Sequence, residues 1–329
     1  MTQEFTKPGA GERVKQLGFL LKNTVTIIGR DTGIVGPWRR AAVYAAVMVT
    51  LFFAAIFAIA VDRGGLGTLL LVVALLMFVY KYFFYVRQDM AQSWLVAESV
   101  RGRRASLADA RKRLGGLRGR VWVLGWCALL FAYIGSKAAQ ESKGIKGLIV
   151  KVTLWALTEV WDLARHFLTP AVTVDDCSLK EGVGKMKDLR HAVPETLVGV
   201  FGIDIAGGAA GTLITPVYTV LIVLAIGAGL LVGDSIAAFH FGDLGEMFSD
   251  SPPAWLDGRH FSWLPLLLAL WLCKLLGAVL QRVVESLKNI YFTLFYMRLA
   301  HAEEIAPELQ GELEGFLKME RPEEAAASS

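Results

Sequence analysis

Residues 41–61 read AAVYAAVMVTLFFAAIFAIAV, with no charged side chain. A helix needs about 20 mostly apolar residues to cross a bilayer, so this stretch predicts a membrane span. The turn Asp62-Arg63-Gly64-Gly65 follows, and then 66–86, apolar except for Lys81. Together they predict a helical hairpin in the membrane. Working outward, four more stretches read as spans: 121–136, which is short; 148–170, which carries charges; 196–233, purest at 213–232; and 263–298. The expected fold class is all-α, a polytopic six-helix transmembrane bundle. Residues 1–37 would precede it as a cytoplasmic or interfacial segment, 38–302 would form the membrane domain, and 303–329 an acidic cytoplasmic tail.

The composition agrees. Of 329 residues, 54% are hydrophobic and 19% charged, against roughly 25% charged in soluble domains. An ordinary soluble enzyme and a disordered chain are both excluded. Three cysteines, Cys127, Cys177 and Cys273, show no CxxC spacing and make no disulfide framework. Lys and Arg are distributed unevenly. Residues 1–40, 87–120, 171–195 and the stretch from Arg298 hold 23 of them, whereas the alternate turns and loops hold 5. By the positive-inside rule both termini face the cytoplasm of a cell (inner) membrane. Lys137, Lys143 and Lys146 lie on the opposite side, which leaves open whether 121–147 crosses or re-enters. The first 40 residues lack the apolar core and cleavage site of a signal peptide.

Residues 13–28 place Val14, Leu17, Leu21, Val25 and Ile28 on one helical face beside Arg13, Lys15 and Lys22. That pattern predicts an interfacial amphipathic helix. The segment 87–120 reads as a basic loop. Its Arg101, Arg103, Arg104, Arg111, Lys112 and Arg113 are candidates for anionic-lipid binding, at about 1 kcal/mol per charge. No aromatics interleave with them, which argues against nucleic acid. His240, Asp243 and Glu246 share a spacing of three, but Gly242 and Gly245 oppose a helix there, so the loop 234–262 reads as solvated and acidic, and no metal site is assigned.

Polar residues at helical spacing in the fourth and sixth spans are the informative feature. Lys151, Glu159, Asp162, Arg165 and His166 share one face, and Lys274, Arg282, Glu285, Lys288 and Asn289 share another. A charge at the bilayer centre costs about 2.5–3.5 kcal/mol. Such groups should therefore turn inward and pair. Lys151, Glu159, Asp162, Lys274, Arg282 and Glu285 are the candidates for a polar pathway or an ion-pair network, with Glu159 and Asp162 expected opposite Lys274 and Arg282. Gly207, Gly211, Gly229 and Gly233 fit small-xxx-small packing, within the bundle or in a homo-oligomer. No GxSxG, HExxH, GxxxxGK[ST] or GxGxxG is present, so no catalytic residue and no cofactor is assigned.

Several segments in order resemble an uncharacterised family of prokaryotic integral membrane proteins, domain of unknown function 6159. They are LKNTVTIIGRDTGIVGP at 21–37, RRASLADARKRL at 103–114 with VWVLGWCALLFAYIG at 121–135, FLTPAVTVDDCSLKEGVGKMKDL at 167–189, ETLVGVFG at 195–202 and IYFTLFYMRLA at 290–300. The resemblance runs from about residue 13 to 302. It implies six spans and cytoplasmic ends, and no activity. The charges Lys151, Glu159 and Asp162 depart from the family's more hydrophobic fourth span. Three function classes remain at this point. The leading one is a channel- or transporter-type protein with a polar pathway between spans four and six. The second is a structural or scaffolding membrane protein whose basic loop binds anionic lipid or a protein partner. The third is a membrane enzyme, for which no motif argues, so no enzymatic activity is expected.

Overall fold

The computed structural model describes residues 28–29, 31–140, 144–188, 212, 214–233, 239–241 and 260–309. A 3-10 turn at Thr32–Ile34 leads into α1 (Val35–Ala60), followed by α2 (Gly64–Val100), α3 (Leu107–Gly115), α4 (Arg118–Gln140), α5 (Gly144–Val174) and α6 (Leu179–Asp188). Then come α7 (Ile214–Leu231) and α8 (Leu264–Ala300). Strands β1 (His240–Phe241) and β2 (Phe261–Ser262) form a two-residue antiparallel pairing, the one sheet among the described residues. The protein is all-α in class. The amphipathic helix expected at 13–28, the start of the fifth span, most of the loop 234–262 and the tail beyond 309 fall outside the described residues.

Five helical stretches among the described residues are long and apolar enough to cross a membrane: Thr32–Ala60, Gly64–Val100, Arg118–Lys137, Ile214–Leu231 and Leu264–Ala300. The expected count was six. The fourth expected span lies in α5, a continuous helix of 31 residues, but Lys146, Lys151, Glu159, Asp162 and Arg165 make it too charged to qualify. Apolar side chains face outward on these helices, among them Leu69, Leu76, Val223 and Leu224 at 60–66% exposure. Side chains of that kind need an apolar solvent.

Residues 87–100 correct the basic-loop reading, because α2 runs on to Val100. The stretch RQDMAQSWLVAESV contains no Gly or Pro, and Met90, Leu95, Val96 and Val100 are fully buried. Gly102 ends the helix. Its φ of +73 is left-handed, open to glycine at no steric cost, and Arg103 N donates to Glu98 O at 2.8 Å, closing a Schellman motif. The turn at residue 62 is built in the same way. Asp62 has φ +58, and Arg63 N donates to Ala58 O at 2.9 Å.

The described residues divide into two compact units. One draws on the stretches up to Arg40, Tyr82–Ile205 and from Val284 onward. Its core is aromatic: Tyr291, Phe292, Phe295 and Tyr296 of α8 are at most 2% exposed and pack with Met90 and Leu95 of α2, Leu124 of α4 and Phe167 and Val172 of α5. The short α3 is started by Ser106, whose hydroxyl accepts from Asp109 N while Asp109 accepts from Ser106 N, a capping box. It buries Ala110 and Leu114 and exposes Arg111 and Lys112. Helices α4 and α5 pack as a hairpin, with Phe131 and Trp161 stacked at 4.6 Å. Helix α4 is continuous over 23 residues, and its Arg118–Lys137 stretch is long and apolar enough to cross a membrane. Pro170 lies inside α5 rather than after it. Thr169 and Thr173 there turn their hydroxyls back to Arg165 O and Thr169 O, at 2.8 and 2.6 Å.

The other unit comprises Ala41–Lys81 and Ala206–Val283. Within it Tyr44 donates to Met77 O at 2.8 Å and Trp271 Nε1 to Thr50 Oγ1 at 3.1 Å. Gly229 and Gly233 are close-approach glycines. A Cβ at Gly229 would stand 2.6 Å from Phe261 Cε2, and one at Gly233 would overlap His260 O. These two small residues therefore receive the chain's own β2 segment. Gly207 and Gly211 lie outside the described residues.

Candidate functional site

Three helices of the first unit bring charged groups together. Asp162, Arg165 and His166 stand at i, i+3 and i+4 on α5 and share a face. Glu285 and Lys288 of α8 and Asp89 of α2 turn toward them. Arg165 is central. It donates to Glu285 Oε2 at 2.6 Å and to Asp162 Oδ1 at 3.4 Å, and its other amino group is 4.0 Å from Asp89 Oδ2. Lys288 donates to Asp162 Oδ2 at 3.2 Å. Side-chain exposure is 6% for Lys288, 13% for Glu285 and 18% for Arg165. Charges this poorly hydrated are tolerable only in pairs.

His166 completes the group. Its Nδ1 is 2.7 Å from Asp162 O, a carbonyl that only accepts, so Nδ1 carries the proton. Nε2 points toward Glu285 Oε2 at 3.9 Å, and the ring packs 5.0 Å from that of Phe292. Ligating atoms of Asp162, His166 and Glu285 come within 4.8 Å of one another. A metal there would have to displace the Arg165 guanidinium from Glu285 and compete with Lys288 for Asp162. As it stands, the constellation is an ion-pair network.

A neutral polar seam follows along α2 and α8. Asn289 donates to Asp89 O at 2.8 Å and to Gln92 Oε1 at 3.1 Å, and accepts from Ser93 Oγ at 3.0 Å. Gln92 donates to Ser286 Oγ at 2.6 Å, and Thr293 contacts Ser93 Oγ at 2.9 Å. Gln92, Ser93, Asn289 and Thr293 are at most 2% exposed. Buried amides and hydroxyls satisfied in this way fix one register between two helices.

Of the expected pathway residues, Asp162 and Glu285 are brought together through Arg165. The cations on Asp162 are Lys288 and Arg165. Lys274 and Arg282, expected in that role, belong to the second unit, where Lys274 is exposed. Lys151 is exposed on α5, and the side chain of Glu159 lies outside the description. Asp89, Gln92 and Ser93 were missed. Their spacing of three and four past Arg87, with no helix breaker before Gly102, was the available signal.

Among the expected lipid-binding residues, Arg101 is held by Glu98 at 2.8 Å and Glu304 at 2.6 Å, and Arg113 by Asp176 at 3.0 Å. Arg120 also binds Asp176. Arg103 touches Glu98 at 3.5 Å but stays 70% exposed. Arg104, Arg111 and Lys112 are exposed.

A second charged cluster closes the end of α5. Asp175 accepts from Lys185 and Tyr296, and lies 2.7 Å from His301 Nε2. The other ring nitrogen of His301 contacts Glu304 at 2.8 Å. Burial opposes the charge on Asp175, but the bonds from Lys185, Tyr296 and His301 outweigh it and hold the carboxyl below its usual range. A depressed carboxylate adds stability above the unfolded value, about pH 4, and loses it as pH falls through the lower folded value. Asp175→Asn should therefore lower the thermal midpoint at pH 7, with the gap to wild type closing toward pH 2–3. A scan of midpoint against pH in detergent checks this, and a gap constant with pH contradicts it.

Comparison with protein-family models, with curated proteins and with solved structures finds no match for this chain.

Proposed function

We propose that the chain is a non-conducting membrane scaffold, held in the bilayer by its apolar helices and joined internally by paired charges. The observation that carries this reading is Arg165 bound by Glu285 and Asp162, with Lys288 on Asp162. Polar groups on the facing sides of α5 and α8 bind one another, as they would in a structural joint.

Helix lengths support the same reading. Each of α2 and α8 has 37 residues, about 55 Å at 1.5 Å per residue. Hydrocarbon takes about 30 Å, or about 20 residues. Counted from Gly64 and Leu264, it ends near Phe83 and Val283. Asp89, Glu285 and Lys288 then stand at headgroup level, where charge is far less costly than at the bilayer centre. Cytoplasmic termini and an inner-membrane location rest on the Lys and Arg asymmetry, 23 against 5. A sixth crossing by α5 and membership of the six-helix family are part of the same proposal, supported by the unbroken length of α5.

A transport-type protein is the second reading. It is favoured by His166, whose Nε2 lies 3.9 Å from Glu285 Oε2 and whose Nδ1 lies 3.7 Å from Asp162 Oδ1, since ionisable clusters between membrane helices often bind an ion or proton. Flux of ions and small polar solutes through proteoliposomes separates the two. The scaffold reading predicts flux at the protein-free level.

A further inference from the structure

We infer that the acidic stretch 310–324 docks back on the chain's own basic surface, formed by Arg103 and Arg104 after α2 and by Arg111 and Lys112 on α3. The described residues involved all lie in the first unit. The contact requires neither a membrane depth nor the scaffold reading.

The start of this contact is already in place. After α8, Ala306 N donates to Val100 O at 3.0 Å, and a Cβ on Gly102 would stand 3.3 Å from Ala306 Cβ. Glu304 accepts from Arg101 Nε at 2.6 Å. Ile305 and Leu309 are 5% exposed and join the core that also takes Ala110 and Leu114 of α3. The acidic stretch therefore continues an interface that the preceding residues have formed with the end of α2.

Charge completes the match. Arg104, Arg111 and Lys112 are exposed and have no ion-pair partner among the described residues. Arg103 is 70% exposed, and its contact at 3.5 Å is to Glu98, which Arg101 holds at 2.8 Å. The one acid on α3, Asp109, is held by Ser106 in the capping box. Residues 310–329 carry five glutamates, at 312, 314, 320, 323 and 324, against Lys318 and Arg321. An extended chain covers about 3.4 Å per residue, so Glu312 and Glu314 reach about 10 and 17 Å from Leu309, and the later glutamates farther. Arg104 lies within about 7 Å of the Gly102 contact along the chain, and Arg111 about 6 Å along α3 from Leu107. A tether this short presents the glutamates at an effective concentration of about millimolar. Each exposed pair is weak alone, but several on one tether act together.

Zero-length carbodiimide cross-linking of the full-length protein in neutral detergent, read by peptide mass spectrometry, tests this. Wild type at low salt should give an amide between Lys112 and a glutamate of 312–324. The yield should fall by more than half at 1 M salt, where the Debye length is about 3 Å. It should fall as far in Arg103→Gln/Arg104→Gln/Arg111→Gln, which keeps Lys112. Mixing isotope-labelled with unlabelled protein separates docking within a chain from docking on a second copy, and the cross-linked peptides should carry one label only. The inference is overturned if Lys112 gives no cross-link to the acidic stretch, if the yield is indifferent to salt or to the three substitutions, or if mixed-label pairs dominate. Should the triple variant fail to fold, the salt series decides. None of these outcomes depends on flux, so failure here is distinct from failure of the scaffold reading.

Discussion

Replacing Arg165 with Met should be the most damaging single change in the charged network. The guanidinium serves Glu285, Asp162 and, at 4.0 Å, Asp89, from a site only 18% exposed. Its removal leaves poorly hydrated carboxylates facing one another. Breaking a buried pair from one side costs about 3–5 kcal/mol, because the orphaned charge stays behind. Arg165→Met should thus lower the unfolding midpoint sharply or abolish recovery of folded protein. Arg165→Met combined with Glu285→Met should recover part of the loss, since the doubly apolar pair strands less charge. Midpoints for the two single variants and the double variant in one detergent make the comparison. A harmless Arg165→Met, or a double variant worse than the sum of the singles, would show that Arg165 is not the organising charge.

Asn289→Leu should rank next. Leu has similar bulk but satisfies none of the groups that Asn289 serves: the Asp89 carbonyl, Gln92 Oε1 and the Ser93 hydroxyl. Each buried group left without a partner costs about 1–3 kcal/mol, and Gln92 and Ser93 are 2% and 0% exposed. Thr293→Val is the graded comparison. Its hydroxyl lies 2.9 Å from Ser93 Oγ and 2.7 Å from Asn289 O, so removing it should cost about 0.5–1.5 kcal/mol. Unfolding midpoints should follow wild type, Thr293→Val, Asn289→Leu in falling order. Equal losses would mean that the seam is not a connected network centred on Asn289.

The membrane helices were readable because their signal is local. The uncharged run at 41–61 and the Asp62–Gly65 turn depend on nothing distant, and both are present. Polar faces on α5 and α8 were also readable from spacing alone. Their partners were not, because pairing across helices depends on depth and rotation, which spacing within one helix does not contain. Lys288 rather than Lys274 therefore meets Asp162. The extension of α2 past Arg87 was hidden for a different reason. Past Arg87 hydropathy falls because Gln88, Gln92, Ser93 and Glu98 are polar, although they too are buried, in the core of the first unit. Counting Arg87 as the start of a loop concealed Asp89 and the seam behind it. The basic cluster showed the converse difficulty: Arg101 and Arg113 resemble Arg111 and Lys112 in sequence, yet acids from distant segments, Glu304 and Asp176, claim them.

Flux through proteoliposomes reconstituted with wild-type protein is the most direct measurement of whether this interior is a joint or a pathway. With potassium, protons and small neutral polar solutes in turn, the rates should equal those of protein-free vesicles. Saturable flux in the wild type that is lost in Asp162→Ala would contradict the scaffold reading and assign the Asp162–Arg165–Glu285 network to transport.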